Sequence, residues 1–256
     1  MSSTRFRWNG SELADITGAP VMPLYVADSF LLTDGAVVDY PLHLDRFARS
    51  ADTQGLVRPV DDFLRAVTAA LPTAGQWFPR IDLTERGELE LHIRPAPPLS
   101  QTAVLATAGT DPRTEPGIKG PDIPALETLR AAARERGADD AVIVDSQGRI
   151  IDGATTCLVW FRENTLLTPP VEATRVESTT VTVVSELARE SGFEIATEWA
   201  TPAELAGVTV WALNALHGIR EVTSWVDGPA LTPNPEMLQS WRDRYAARAL
   251  PVSASS

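Results

Sequence analysis

Apolar and polar positions alternate with two different periods along this chain, and the switches between them mark its elements. Glu88 to Arg94 reads Glu-Leu-Glu-Leu-His-Ile-Arg, a strict alternation that predicts a strand with one buried face. Leu31-Leu32-Thr33 and Ala36-Val37-Val38 flank Asp34-Gly35, a dipeptide suited to a tight hairpin turn. His43 to Thr53 places Leu44, Phe47 and Ala48 on one helical face. Val60 to Leu71 repeats that pattern through Phe63, Leu64, Val67 and Leu71.

Proline and glycine interrupt the pattern from Pro95 to Pro98 and again from Ala108 to Pro124, which predicts a linker. Beyond it a helix runs from Ala125 to Arg136 and is closed by Gly137. Ala141 to Asp145 and Arg149 to Ile151 form a second hairpin around Gly148. Thr156 to Phe161, Thr165 to Thr168, Phe193 to Trp199, Val208 to Leu213 and Ile219 to Val226 read as strands. Ser178 is a natural N-cap for a helix running to about Ser191. Pro202 to Leu205 is a short helix, Pro235 to Ala247 a longer one, and Pro251 to Ser256 is expected to be frayed. The fold class is α/β in two parts: a small N-terminal domain, 1–112, and a larger C-terminal domain, 113–256.

Composition narrows the function. A formal net charge of −12 over 256 residues, with no basic run, repels a phosphate backbone and excludes nucleic acid as a partner. No apolar run approaches the roughly 18 residues of a membrane span, so no membrane partner is expected. The first residues lack a secretory apolar core, which predicts a cytoplasmic protein. One cysteine, Cys157, allows no internal disulfide. Ligand spacing for zinc, a Gly-rich nucleotide loop and a nucleophile elbow are not found, so no metal is expected. Lys119 is the only lysine among 22 Lys and Arg residues. Lysine can lose its proton and attack a carbonyl; arginine holds its proton too tightly.

Several segments then stand in a familiar order. Ile118-Lys119 precedes a helix. Gly137-Ala-Asp-Asp-Ala-Val-Ile-Val-Asp145, Gly148-Arg-Ile-Ile-Asp-Gly-Ala154, Leu167-Thr-Pro169 and Asn214-Ala-Leu-His-Gly-Ile219 follow. Leu42-His-Leu-Asp-Arg-Phe47 and Tyr25-Val-Ala-Asp-Ser-Phe30 stand upstream. Together they resemble the class IV aminotransferases, the group of branched-chain and D-amino-acid aminotransferases and aminodeoxychorismate lyase.

The resemblance implies a two-domain fold with pyridoxal 5'-phosphate in the inter-domain cleft, and a homodimer. It implies an aminotransferase acting on an amino acid and a 2-keto acid, both small molecules. The alternatives are a lyase of the same family, to which Asn214-Ala215-Leu216 is the more similar, or a catalytically drifted cofactor-binding protein. Lys119 would be the Schiff-base lysine. Arg46, Ser178, Thr179, Thr180, Asn214 and Ala215 would hold the cofactor phosphate, and Asp152 would face the pyridine nitrogen. Leu216, His217 and His92 would meet substrate. The chain departs from the family pattern where it has Asp152 for a glutamate, Cys157 for an asparagine, Ser178 for a glycine, Val181 for an arginine and Glu221 for a proline.

Overall fold

The structure is a computed structural model that describes residues 3–55 and 60–255. The chain divides into two compact units. The first takes Met1–Leu99, Ile118–Pro121 and Ala246–Ser256; the second takes Ser100–Gly117 and Asp122–Tyr245. The expected boundary at 112/113 falls inside a stretch that packs with the second unit. Lys119, expected in the C-terminal domain, packs with the first.

The first unit opens with β1 (Thr4–Trp8), β2 (Leu13–Asp15) and β3 (Leu24–Ser29), followed by β4 (Leu32–Thr33) and β5 (Ala36–Val38). Helices α1 (Tyr40–Thr53) and α2 (Val60–Ala70) come next, then β6 (Gln76–Trp77), β7 (Arg80–Thr84) and β8 (Leu89–Ile93). An antiparallel sheet is ordered β2-β1-β8-β7-β3. Leu89, Leu91 and Ile93 of β8 enter a core with Ile81, Leu83, Phe47, Phe63 and Val67, as alternation requires. The opposite face of β8 is covered too: Glu90 is buried because Arg5 and Arg7 both pair with its carboxylate. The Asp34-Gly35 turn has φ of 48° and 77°, the two left-handed residues such a hairpin needs.

Helix α1 buries Tyr40, His43, Arg46, Phe47 and Ala51. Two polar residues thus sit in a stripe that apolar spacing alone would fill with Leu44 and Ala48, which are only partly buried. Their partner is on β3, described below.

The second unit begins with β9 (Thr102–Thr107), α3 (Ile123–Glu135), β10 (Asp140–Val144) and β11 (Ile150–Gly153). It continues through β12 (Cys157–Arg162), β13 (Thr165–Thr168), α4 (Thr179–Glu190), β14 (Glu194–Thr197), β15 (Thr209–Asn214), β16 (Gly218–Val226) and α5 (Pro235–Ala246). Eight strands form one mixed sheet ordered β11-β10-β9-β16-β15-β12-β13-β14. Strand β9 is parallel to both neighbours, β10 and β16. A core of Leu105, Val142, Leu158, Trp160, Val210 and Trp225 packs within this unit.

The last strand, β17 (Ala249–Pro251), returns to the first unit and pairs with β5 in a small sheet ordered β17-β5-β4-β6. This corrects the expected frayed tail. Val252 is buried beside Phe30, Leu32 and Tyr40, so the segment has apolar surface to cover; Ser256 lies outside the described residues. Among the described residues no helix is long and apolar enough to cross a membrane.

Candidate active site

Lys119 is held in the first unit by backbone. Ala27 of β3 donates its N–H to the Lys119 carbonyl at 2.6 Å. The next residue, Gly120, has φ +148°, and a Cβ there would stand 2.9 Å from the Val26 Cα and 3.0 Å from its carbonyl carbon. Only glycine allows that close approach. Lys119 itself is half-buried. Burial lowers its pKa to about 8, with Arg46, Arg94 and Arg80 acting in the same direction and Asp28 opposing them. An amine poised there is partly neutral, and so nucleophilic, near neutral pH.

Asp28 of β3 is fully buried and gathers the polar residues of α1. Its Oδ1 accepts from His43 Nδ1 at 2.8 Å and from Arg46 Nη2 at 2.8 Å; its Oδ2 accepts from Arg46 Nε at 2.7 Å. The Arg46 bond is the two-pronged fork that arginine makes with carboxylates. Burial alone would push the Asp28 carboxyl up, but Arg46 and His43 outweigh it and hold it far below the usual carboxylate range. His43 is lowered by burial despite Asp28. Arg46, expected at the cofactor phosphate, therefore commits two donors to Asp28. Sequence reading passes over Asp28 and Gly120; a buried arginine on an apolar helix stripe, and a glycine directly after a candidate lysine, are the available signals.

The second unit presents a different acid. Asp152, on β11, is buried, and its Oδ1 makes no hydrogen bond among the described residues. Burial raises its pKa to about 7; Arg113, the Cys157 thiol, Arg175 and the Gly153 N–H pull it back down. The cation facing it is Arg113, whose Nη1 stands 3.8 Å from Asp152 Oδ2. Burial, then the Asp152 charge, push the Cys157 thiol well up, so it stays protonated and donates to Asp152. Ser178 also bonds that thiol and caps α4, its Oγ accepting from the Val181 N–H at 3.2 Å. Thr179 and Thr180 are buried in the first turn. Such a helix end is an anion site, because its first N–H groups lie outside the intrahelical ladder. Asp152, Cys157 and Ser178 are thus brought together, a grouping that sequence order alone does not display.

The Asn214 side chain builds its own turn. Its Oδ1 accepts from the N–H groups of Leu216 at 3.1 Å and His217 at 2.8 Å, and its Nδ2 donates to the Thr155 carbonyl at 3.1 Å. Ala215 lies within that turn. His217 Nδ1 accepts from the Ser100 N–H at 3.2 Å, which places the ring proton on Nε2. Burial and then Arg220, Arg130 and Arg242 lower the His217 pKa to about 4. His92, in the first unit, also falls to about 4, through burial and then Arg80, Arg94 and Arg5, and it bonds Ser3 Oγ at 2.5 Å. Both imidazoles are neutral at pH 7. A cavity of about 420 Å³ lined by Phe161, Phe193, Val208, Thr209, Asn234 and Met237 contains none of these groups.

Comparison with known proteins agrees with this chemistry. No curated protein sequence matches the chain. It is similar in structure to a fold IV-transaminase from Curtobacterium pusillum, at TM-score 0.82 and 19% identity over 96% of this chain and 98% of that one. It is similar to a hypothetical aminotransferase from Mycobacterium tuberculosis in its PLP-bound form, at 0.81 and 20% over 96% and 98%. The branched-chain amino acid aminotransferase from Escherichia coli aligns at 0.78 and 17% over 96% and 93%. At such identities the likeness establishes the fold, a mixed α/β fold of the transaminase kind. The family model for amino-transferase class IV matches residues 25–225, well over half of the sequence. The chain therefore belongs to the class IV aminotransferases, a family whose cofactor is pyridoxal 5'-phosphate.

Proposed function

We propose that the protein is a pyridoxal-phosphate-dependent aminotransferase that moves an amino group between an amino acid and a 2-keto acid, with Lys119 as its catalytic residue. The observation that carries this reading is a sole lysine whose backbone is pinned against β3 and whose amine is poised near pH 8. When bound, the cofactor supplies an electron sink for charge developing at the substrate α-carbon. Lys119 Nζ holds the cofactor at rest and, once displaced by substrate, moves the α-proton. Asp152 fits the pyridine nitrogen, because its buried Oδ1 lacks the N–H donor that a protonated ring provides. Ser178, Thr179 and Thr180 receive the phosphate at the start of α4, joined by the turn at Asn214 and Ala215. Arg46 joins them at the phosphate, and its fork to Asp28 also sets the charge around Lys119. Leu216, His217 and His92 face substrate, His217 offering Nε2–H to a carboxylate.

The decisive experiment is an absorbance spectrum with added pyridoxal phosphate, repeated on Lys119→Ala and Lys119→Arg. A long-wavelength band in the wild type that both variants lack, together with a fall in amino transfer of about 10³-fold or more, is expected. No band in the wild type would sink the reading. Release of p-aminobenzoate from aminodeoxychorismate would move the assignment to the lyase of the same family. A homodimer and a cytoplasmic setting belong to the same proposal; light scattering and cell fractionation check them.

A further inference from the structure

Arg113 stands on the loop between β9 and α3, a stretch with linker composition, yet its side chain is only 4% exposed. Two carboxylates lock that loop. Asp111 accepts from the Arg113 backbone N–H at 3.0 Å, from Nε at 2.9 Å and, through its other oxygen, from Nη2 at 2.9 Å. Asp122 accepts from the Thr114 N–H and hydroxyl and the Glu115 N–H at 2.8, 2.9 and 2.9 Å. The guanidinium thus has its fork filled and turns Nη1 toward Asp152 Oδ2, 3.8 Å away. Asp152 Oδ1 is left buried and without a partner among the described residues.

We propose that Arg113 is a positioning residue for Asp152: it places a counter-charge beside Oδ2 and turns the buried carboxylate so that Oδ1 alone is presented to an N–H of the bound cofactor. The inference rests on the reading of Asp152 given above. A carboxylate this deep would take up a proton near neutral pH, and a carboxyl O–H would then compete with the ring nitrogen's own proton. The other groups facing Asp152 do not supply a mobile counter-charge. Cys157 is a neutral thiol, and the Arg175 guanidinium is committed to the carbonyls of Pro169, Pro170 and Ala173. Gly153 offers only its backbone N–H. Asp152 is also one methylene shorter than glutamate, so its orientation has less freedom to adjust.

The test compares wild type, Arg113→Met, Arg113→Lys and Asp152→Asn, first without cofactor. Carboxyl ¹³C NMR on aspartate-labelled protein follows the Asp152 titration, identified by its loss in Asp152→Asn. Arg113→Met is expected to raise the midpoint by about 1–2 pH units, and Arg113→Lys, which keeps the charge, to restore most of that shift. Loaded with pyridoxal phosphate, the same variants should show a matching change in the pH dependence of the absorbance band. A folded Arg113→Met protein with an unmoved Asp152 midpoint overturns the proposal. If that variant does not fold, Arg113→Gln carries the same test with the same two outcomes. A wild type without a cofactor band overturns the function reading instead, and with it the cofactor end of this inference, while the cofactor-free titration still decides whether Arg113 governs Asp152.

Discussion

Asp28 and Asp152 are both buried acids, one in each unit, and they differ in company. Asp28 receives three hydrogen bonds, two of them from one guanidinium, and is held far below the usual carboxylate range. Asp152 has one bare oxygen and a cation 3.8 Å away, and its pKa lies at about 7. The first acid is saturated by its own unit, so its influence goes outward as a fixed charge beside Lys119. The second keeps one oxygen without a hydrogen bond among the described residues, the opening that the proposed cofactor contact would fill. A buried acid bonded on both oxygens supports structure and field; one with an oxygen left bare calls for an explanation.

Breaking the saturated side should produce the largest effect. Asp28→Asn removes the charge that Arg46 and His43 are bound to, and loss of one partner of a buried pair costs about 3–5 kcal/mol. Urea denaturation measures it. The same change removes the carboxylate that holds the Lys119 pKa up, so the amine should become reactive below pH 8. Cyanate labelling of Lys119, followed by peptide mass spectrometry across pH, gives the midpoint; an upward shift would contradict the assigned field.

The unfinished side should answer with the opposite sign. The folded pKa of Asp152 is raised from 3.8 to about 7, so its favourable contribution is complete below about pH 4 and is lost as pH rises to 7. Asp152→Asn has no such loss. Without cofactor, the stability gap in favour of the asparagine variant should therefore widen by on the order of 2–3 kcal/mol between pH 5 and pH 8. Denaturation curves that stay parallel between those pH values would refute this.

Gly120→Ala probes the backbone that presents Lys119. A methyl at 2.9 Å from the Val26 Cα forces either the Gly120 loop or β3 to move, at a cost of about 1–3 kcal/mol, readable in thermal melts and in slower or faster labelling of Lys119. As a reference for ordinary charges, the exposed Arg136–Asp227 pair should matter least. Asp227→Asn is expected to change stability by less than about 0.5 kcal/mol.

How much of this is legible in the sequence depends on whether the relevant physics is local. The Asp34-Gly35 turn, the α4 cap at Ser178 and the alternation of β8 follow from neighbours a few residues apart, and all three appear where the pattern puts them. Strand β9 is not among the predicted elements. It lies between two parallel neighbours and its sequence shows no strict alternation, so its period carries no signal. Strands β1 and β7 hide for a related reason. Arg5, Arg7, Arg80 and Asp82 look like solvated positions until they pair across the sheet or along it. For the site, the lone lysine and the acid at 152 can be named from type and order. The roles of Asp28 and Arg113 cannot, since each depends on a partner separated by at least 15 positions, Asp28 with His43 and Arg113 with Asp152.

The pairing of β17 with β5 has a consequence for how the chain is made. Residue 249 leaves the ribosome 211 positions after its partner Val38 (249 − 38). At about 5–20 residues per second, that interval lasts roughly 10–40 s. Throughout it the small sheet has an open edge, and the cluster of Phe30, Leu32 and Tyr40 lacks the cover that Val252 later provides. The first unit begins synthesis first and is completed last. A chain cut before residue 246 has every residue of the second unit but lacks the strand that completes the small sheet of the first, the unit that bears the lysine.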